Sequence, residues 1–472
     1  MLCLFNKFKN KIKYFFDSRF EKILATQNEL CANQQLLQEA QAQLKSQMES
    51  QSIIQAQNEQ LQEKCNKIFD FQQSIYNQIV TTEQNLNYYG MIDRILQEYK
   101  YTNTELLLLN LQKPYQKKIL IAGFYGADNL GDELMLQTLL DYFPKDKLSS
   151  VSVMLCDNAA YDYYHLPGVN FIHQPKNVFD CNLLAQSFDV LIWGGGALID
   201  DCNYNVKSVD LNNILVDLSK RFMEFGKKVI ALGLSTNQQL TNSEYIENLN
   251  YVCKHSEHFY LRDIYSEKLL KDNGITNVDL MDDLVFYNKL WKAPPSLKTS
   301  SDTINVGIIW ICTPDTEQQF LHMISLIMEK FNNVCNIKLI PFYNHLQADI
   351  EFYTRMVDRL PNNKNITVLP YTNNIEKLAQ EIADTDFMVN MRYHGMLISN
   401  VLNKCSVNIC YDIHRHYPNK ISYLSERFGM QKDLVMFSEL LETTELRFSS
   451  PKISFSSPDK ESLYRIIQNL FI

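Results

Sequence analysis

Met388-Val389-Asn390-Met391-Arg392-Tyr393-His394-Gly395-Met396 is the stretch on which the reading of this chain turns. Asp384 and Asp386 close the run before it, and an apolar run of helical character, Met396-Leu397-Ile398 onward, follows. That change of pattern places Arg392 and His394 where a strand gives way to a helix. In open α/β sheets, ligands bind outside the carboxyl ends of strands, beside helix N-termini that attract anions. Arginine supplies a planar fork for carboxylate or phosphate, and histidine titrates near neutral pH. An Arg-x-His pair in that setting points to a site that holds an anion and moves a proton. The competing reading is a surface arginine beside a core histidine, and the pair alone does not decide between them.

Strand-then-helix units recur on both sides of this stretch. Lys117 to Phe124 reads as a strand that runs into Gly123-Phe124-Tyr125-Gly126-Ala127-Asp128-Asn129-Leu130-Gly131-Asp132-Glu133 and an apolar helix from Leu134. Gly123, Gly126 and Gly131 permit tight turns and close ligand approach. The loop matches neither the dinucleotide nor the phosphate-loop fingerprint and has no lysine for phosphates. Asn129 and Asp132 suit sugar hydroxyls; the plainer alternative is helix capping by Asp128 or Asn129. A second strand, Phe188 to Trp193, ends in Gly194-Gly195-Gly196, where backbone must come close to something. Further units are Lys227 to Gly233, Phe259 to Asp263 and Val278 to Asp283. Arg262 again stands at a strand end, facing either an anion or nearby acids. Residues 289–303, with Pro294-Pro295, read as a linker. A second set follows at Ile304–Trp310, Asn336–Phe342, Ile366–Pro370, the Arg392 segment and Ser406–Tyr411. The pattern predicts an α/β fold with two doubly wound parallel sheets and a cleft between them.

Length agrees, since 472 residues exceed one core. No apolar run reaches the roughly 18 residues that span a bilayer, and the N-terminus lacks a signal-peptide pattern. Eleven cysteines stand without a C-x-x-C pair, which indicates neither a disulfide framework nor a zinc site and fits reduced cytoplasmic thiols. A net charge of −9 argues against nucleic acid as partner.

The N-terminal part is of another kind. Residues 1–20 carry a net charge of +4 and interleave Lys7, Lys9, Lys11 and Lys13 with Phe5, Phe8, Ile12, Phe15 and Phe16. On a helix this is an aromatic face bordered by lysines, as in helices that lie on anionic membranes; the alternative is a basic start to the next helix. Residues 23–89 hold a heptad repeat beginning Ile23, Leu30, Leu37, Leu44 at one position and Thr26, Asn33, Ala40, Gln47, Ile54, Leu61 at the other, without proline or glycine. That period implies a coiled coil of roughly 100 Å that joins copies of the chain, against the alternative of a solvated glutamine-rich helix. The expected organisation is therefore 1–22 basic amphipathic segment, 23–89 coiled coil, 90–116 helix and linker, 117–290 first α/β domain, 304–455 second α/β domain, and 456–472 C-terminal helix.

Taken in order, Gly123-Phe124-Tyr125-Gly126 with Asn129-Leu130-Gly131-Asp132-Glu133, then Gly194-Gly195-Gly196, Leu261-Arg262-Asp263 with Ser266, Asp283, and Met391-Arg392-Tyr393-His394 resemble the polysaccharide pyruvyl transferase family. The resemblance covers about residues 117–435. It implies two Rossmann-like domains in an arrangement similar to GT-B glycosyltransferases. It also implies transfer of a pyruvyl group from phosphoenolpyruvate to two hydroxyls of a sugar in a cell-surface polysaccharide or its lipid-linked precursor. It implies that Arg262, Arg392 and His394 contact phosphoenolpyruvate, with no cofactor and no metal. On this reading Arg262 and Arg392 hold the donor, a His394 held cationic between its anions acts as acid or leaving-group stabiliser, and Asp132 or Asp283 is the acceptor base. Gly123, Gly126, Asn129, Gly131, Gly194, Gly195, Gly196 and Lys420 line the substrates. Two departures concern substrate identity: the loop Gly233-Leu234-Ser235-Thr236-Asn237 lacks the family's later glycines and proline, and Tyr411 is separated from Lys420 by an insert holding His414, Arg415 and His416. The rival expectations are a nucleotide-sugar glycosyltransferase and a non-catalytic coiled-coil organiser. The basic segment would seat the enzyme peripherally on the inner membrane face.

Overall fold

The computed structural model describes residues 117–155, 168–175, 178–201, 211–236, 239–292, 303–344, 348–361, 363–412 and 420–471. All lie in one compact unit, Leu96–Ile472. The expected amphipathic segment, coiled coil and linker helix of residues 1–116 lie outside the described residues, as do Asn237, His414, Arg415 and His416.

Short apolar runs bounded by glycine or polar turns become strands buried on both faces, which is the signature of parallel sheets covered by helices. The first sheet contains β1 (Ile119–Ala122), β2 (Val151–Leu155), β3 (Asn170–His173), β4 (Val190–Trp193), β5 (Gly196–Ile199), β6 (Lys228–Thr236), β7 (His258–Leu261) and β8 (Asp279–Leu280). Its order is β3-β2-β1-β4-β6-β7-β8, with β5 also on β6, and every pairing is parallel. The second sheet contains β9 (Ile304–Ile309), β10 (Cys335–Leu339), β11 (Ile366–Val368), β12 (Phe387–Asn390), β13 (Cys405–Cys410) and β14 (Leu434–Met436). Its order is β11-β10-β9-β12-β13-β14, also parallel throughout. The chain is thus an α/β fold with parallel sheets.

In each sheet the chain winds one way and then turns back. The reversal falls between β1 and β4 in the first sheet and between β9 and β12 in the second. Carboxyl ends of strands at such a switch point are where open α/β sheets bind ligands. The loops at these points carry Gly123–Glu133, Gly194–Gly196, Trp310–Cys312 and Met391–His394.

Each sheet has a core of its own on one side. A third cluster is shared: Ile119, Ile121, Leu134 and Leu139 of the first half join Ile309, Phe342, Met396 and Leu397 of the second. The last helix, Lys460–Asn469, belongs to this cluster through Leu463 and Ile467. Phe471 meets the ring of Phe143 edge-on at 6.1 Å, and Lys460 donates to the Asn288 carbonyl at 2.9 Å. The expected linker keeps its start within the first half, because Trp291 is buried and donates to the Val285 carbonyl at 2.6 Å. Gly196, expected as loop, begins β5. No helix among the described residues is long and apolar enough to cross a membrane.

Leu463→Ala removes a fully buried side chain from the shared core and is expected to cost about 2–5 kcal/mol. Tyr464→Ala, on the exposed face of the same helix, should stay within about 0.5 kcal/mol. Denaturant unfolding of the two full-length variants checks this; equal losses would mean the last helix does not contribute to the core.

Candidate active site

The loop after β1 is built around a tyrosine. Tyr125 folds back and donates its hydroxyl to the Gly194 carbonyl at 2.5 Å. A Cβ on Gly194 would lie 2.0 Å from that hydroxyl, and one on Gly123 would lie 2.5 Å from the ring. Gly126, at φ +86°, donates its N–H to Glu133 Oε1 at 3.0 Å. The turn leads into the helix Leu130–Leu140. Asn129 holds the N-cap position, but its side chain makes no cap bond. The second half restrains the loop instead: Asn129 bridges Tyr343, Leu130 N–H donates to the Phe342 carbonyl at 2.8 Å, and Asn344 N–H donates to the Asp128 carbonyl at 3.0 Å.

The remaining glycines also meet side chains. A Cβ on Gly131 would lie 2.0 Å from His394 Nδ1, one on Gly195 2.9 Å from Met135 Sδ, and one on Gly196 3.0 Å from Asp132 Oδ1. Close approach was the right expectation for these positions. What approaches Gly123, Gly131 and Gly194–Gly196 here is the protein's own tyrosine, histidine, methionine and aspartate.

Four charged groups far apart in sequence converge on this loop. Arg262 follows β7, and its N–H continues the ladder to the Leu234 carbonyl at 2.8 Å. Asp263 then caps the helix Ile264–Asp272, accepting from Ser266 N–H at 2.7 Å and Ser266 Oγ at 2.9 Å. Asp283 caps the turn Leu284–Tyr287 through Val285 N–H at 2.9 Å. Arg262 Nη1 donates to Asp283 Oδ2 at 2.7 Å, while Nε and Nη2 donate to Ser235 Oγ at 3.1 and 2.8 Å. The guanidinium lies 4.5 Å from the centre of the Tyr393 ring, a cation–π contact. His394 Nε2 stands 3.4 Å from the same Asp283 Oδ2 and makes no hydrogen bond. The group is enclosed: Asp132 is 8% exposed, Arg262 2%, Asp283 1% and His394 9%.

Burial and neighbours divide the two carboxyls. Burial works to raise the Asp283 carboxyl, but His394 and Arg262 outweigh it and hold the group well below the usual carboxylate range. Asp283 is therefore a fixed anion and a poor base. Asp132 is pushed up to about 7, chiefly by burial and further by Asp283, with Lys420 and Arg262 opposing. A carboxyl that titrates near neutral pH suits general acid–base work. Burial draws the His394 imidazole below its ordinary value, aided by Arg262 and Lys420 and opposed by Asp283. The cationic His394 of the sequence reading is one held between the anions of a bound donor.

The two arginines are held by different partners. Arg262, expected to face a donor anion, has all three nitrogens turned to Asp283 and Ser235. Arg392 stands at the N-cap position of the helix Tyr393–Val401. Its Nε donates to the Trp310 carbonyl at 2.8 Å and its Nη2 to Asp349 Oδ1 at 3.0 Å. Nη1 makes no hydrogen bond among the described residues. Lys420 begins the helix Lys420–Arg427, whose field reaches Asp132, Asp263 and His394. That helix is tied to the first half by Arg427 with Asp282 and by Tyr265 with Glu426. Ser235, Asp349, Tyr125 and Tyr393 were not foreseen as partners. Ser235 lies in the stretch whose sequence departs from the family pattern, which was expected as a loop but continues β6 to Thr236, and Asp349 carries no motif. Among the described residues, no three histidine, cysteine, aspartate or glutamate side chains gather as a metal site.

A family model described as polysaccharide pyruvyl transferase matches residues 129–413. No curated protein matches the chain. Among solved structures, the UDP-GlcNAc 2-epimerase from Methanocaldococcus jannaschii is similar at 12% identity and a TM-score of 0.45, covering 75% of this chain and 99% of that one. The UDP-GlcNAc 2-epimerase from Neisseria meningitidis, bound to UDP-GlcNAc, is similar at 11% identity and a TM-score of 0.42, covering 75% and 99%. The UDP-N-acetylglucosamine 2-epimerase from Rickettsia bellii is similar at 10% identity and a TM-score of 0.43, covering 75% and 96%.

Two outcomes follow from the geometry. Gly131→Ala drives a methyl into the His394 ring and should destabilise by about 1–3 kcal/mol. Adding His394→Ala should recover most of that loss in denaturant unfolding; additive losses would disprove the contact. Asp132 binds its proton more tightly folded, at about 7, than unfolded, near the ordinary aspartate value of 3.8. Wild-type stability should therefore fall as pH rises between those values and level off above about 7. Asp132→Asn lacks that fall, so its melting temperature should exceed wild type at pH 8 and the gap should close toward pH 4. Parallel melting curves across that range would refute the raised Asp132 value.

Proposed function

Because the chain belongs to the polysaccharide pyruvyl transferase family, we propose that it transfers a pyruvyl group from phosphoenolpyruvate to two hydroxyls of a sugar in a cell-surface polysaccharide or its lipid-linked precursor. The convergence of Asp132, Arg262, Asp283 and His394 from four separate stretches onto the end of β1 carries this reading. We read the two parallel sheets as a GT-B-like arrangement with the site between them.

In the reaction, the donor's methylene carbon gains a proton and becomes a methyl group. Two sugar oxygens bond to the adjacent carbon, and the bond from that carbon to the phosphate oxygen breaks. One hydroxyl proton is taken up by the methyl group and the other leaves with phosphate. Arg392, whose Nη1 makes no hydrogen bond among the described residues, would meet the incoming anion, with the Lys420 charge close enough to act on Asp132 and His394. Arg262 acts one step back by fixing Asp283. Asp132 takes a proton from the attacking hydroxyl, the role its near-neutral titration suits. Before the donor arrives, burial holds the His394 imidazole below its ordinary value. The donor's negative charge raises its proton affinity and lets it serve as acid toward the methylene carbon or the leaving phosphate.

Residues 1–22 and 23–89 would add peripheral contact with an anionic membrane and self-association, placing these heads beside lipid-linked acceptors.

The test is phosphate release from phosphoenolpyruvate with an oligosaccharide acceptor. Arg392→Ala and His394→Ala should each lower it by on the order of 10² or more. Wild-type rates in both variants would remove the proposal, as would a thermal shift with a UDP-sugar and none with phosphoenolpyruvate.

A further inference from the structure

We propose that Asp349 is a positioning residue of the site: it sets the fork of Arg392 and couples it to the helix that carries Asp132. This rests on reading Arg392 as the group that receives the donor anion.

Asp349 is the second residue of the helix Ala348–Asp358 and is 1% exposed. Its carboxylate serves two sets of donors. Oδ2 accepts the N–H groups of Phe342 and Tyr343, each at 2.8 Å. Oδ1 accepts Arg392 Nη2 at 3.0 Å. With Nε held by the Trp310 carbonyl, two of the three guanidinium nitrogens are fixed by the protein, and Nη1 is presented in one orientation. The carboxylate also keeps the arginine charge paired until another anion arrives.

The other end of the connection runs through the backbone. Phe342, whose N–H is on Asp349, gives its carbonyl to Leu130 N–H at 2.8 Å. Tyr343 bridges Asn129, and Asn344 N–H reaches the Asp128 carbonyl. Leu130 opens the helix on which Asp132 stands two residues later, with Gly131 against His394 between them. One buried carboxylate therefore links the anion-receiving arginine of the second half with the proton-handling aspartate of the first. A cap for residues 342 and 343 needs only Oδ2; the bond from Oδ1 to Arg392 is what a purely local role leaves unexplained. Asparagine cannot replace it, because one side of its amide is a donor and would oppose either the two N–H groups or Arg392.

The test compares full-length wild type, Asp349→Asn and the exposed control Asp358→Asn. Hydrogen exchange read by mass spectrometry needs no ligand. In Asp349→Asn, exchange should quicken in residues 342–344, 128–134 and 392–396 together, and the control should match wild type. Faster exchange confined to 342–344 would make Asp349 a local cap and overturn the proposal. In kinetics, the KM for phosphoenolpyruvate should rise by about tenfold or more, the loss of one charge-assisted hydrogen bond, with a smaller change in kcat. An unchanged KM in a wild-type protein that does bind phosphoenolpyruvate would likewise overturn it. A wild-type protein that binds neither phosphoenolpyruvate nor inorganic phosphate would sink the donor reading, and the exchange pattern would then decide Asp349 by itself.

Discussion

A buried carboxylate with two claimants, Asp283, is the constraint on which the site depends. Arg262 and His394 both reach the same oxygen, and Ser235 takes the rest of the arginine fork. Removing one partner from such a group leaves a charge stranded out of water, at a cost of about 3–5 kcal/mol. The arrangement therefore persists only as a whole. It fixes the plane of Arg262 against Tyr393, locates the imidazole beside Gly131, and supplies the negative field that helps keep Asp132 protonated. Two carboxyls in one enclosure end with opposite habits, one permanently ionised and one poised near neutrality.

Close approach between the halves makes this possible. Glycine at 131 admits the histidine ring of the other half, and glycine at 194 admits the Tyr125 hydroxyl. The backbone seam between residues 128–130 and 342–344 then fastens the two switch-point loops to each other. A shared apolar cluster lies behind that seam. Precision in the polar site is thus a product of packing, since side chains held by a dense core cannot drift from their partners.

The parallel sheets were legible because strands buried on both faces appear as unbroken apolar runs, as in Val190-Leu191-Ile192-Trp193. Val151–Leu155 is equally buried, but serines before and within it interrupt the apolar run that marks the other strands. Leu434–Met436 is too short and half-exposed to announce itself. Within the site, Arg262 and His394 could be named because each stands where a strand ends, and Asp132 and Asp283 because they fall in the ordered motifs of the resemblance, although capping is a competing reason for an acid at a helix start. Their pairing could not. That Arg262 would spend itself on Asp283, or that Arg392 would turn to Asp349, depends on contacts spanning 21 and 43 positions, for which one chain carries no local signal. The side chains that meet the glycines, among them Tyr125 and His394, come from elsewhere in the chain and leave no mark beside the glycines themselves.

The last helix adds a consequence for biosynthesis. Leu463, Ile467 and Leu470 complete a core whose other members include Tyr142 and Phe143, more than three hundred residues earlier. A nascent chain leaves the ribosome from its N-terminus, and early domains commonly settle before later ones emerge. Here the first sheet does not complete its core alone, because part of the cover for one apolar face comes from a helix more than three hundred residues later. Until that helix emerges, part of that face stays open to solvent and to chaperones.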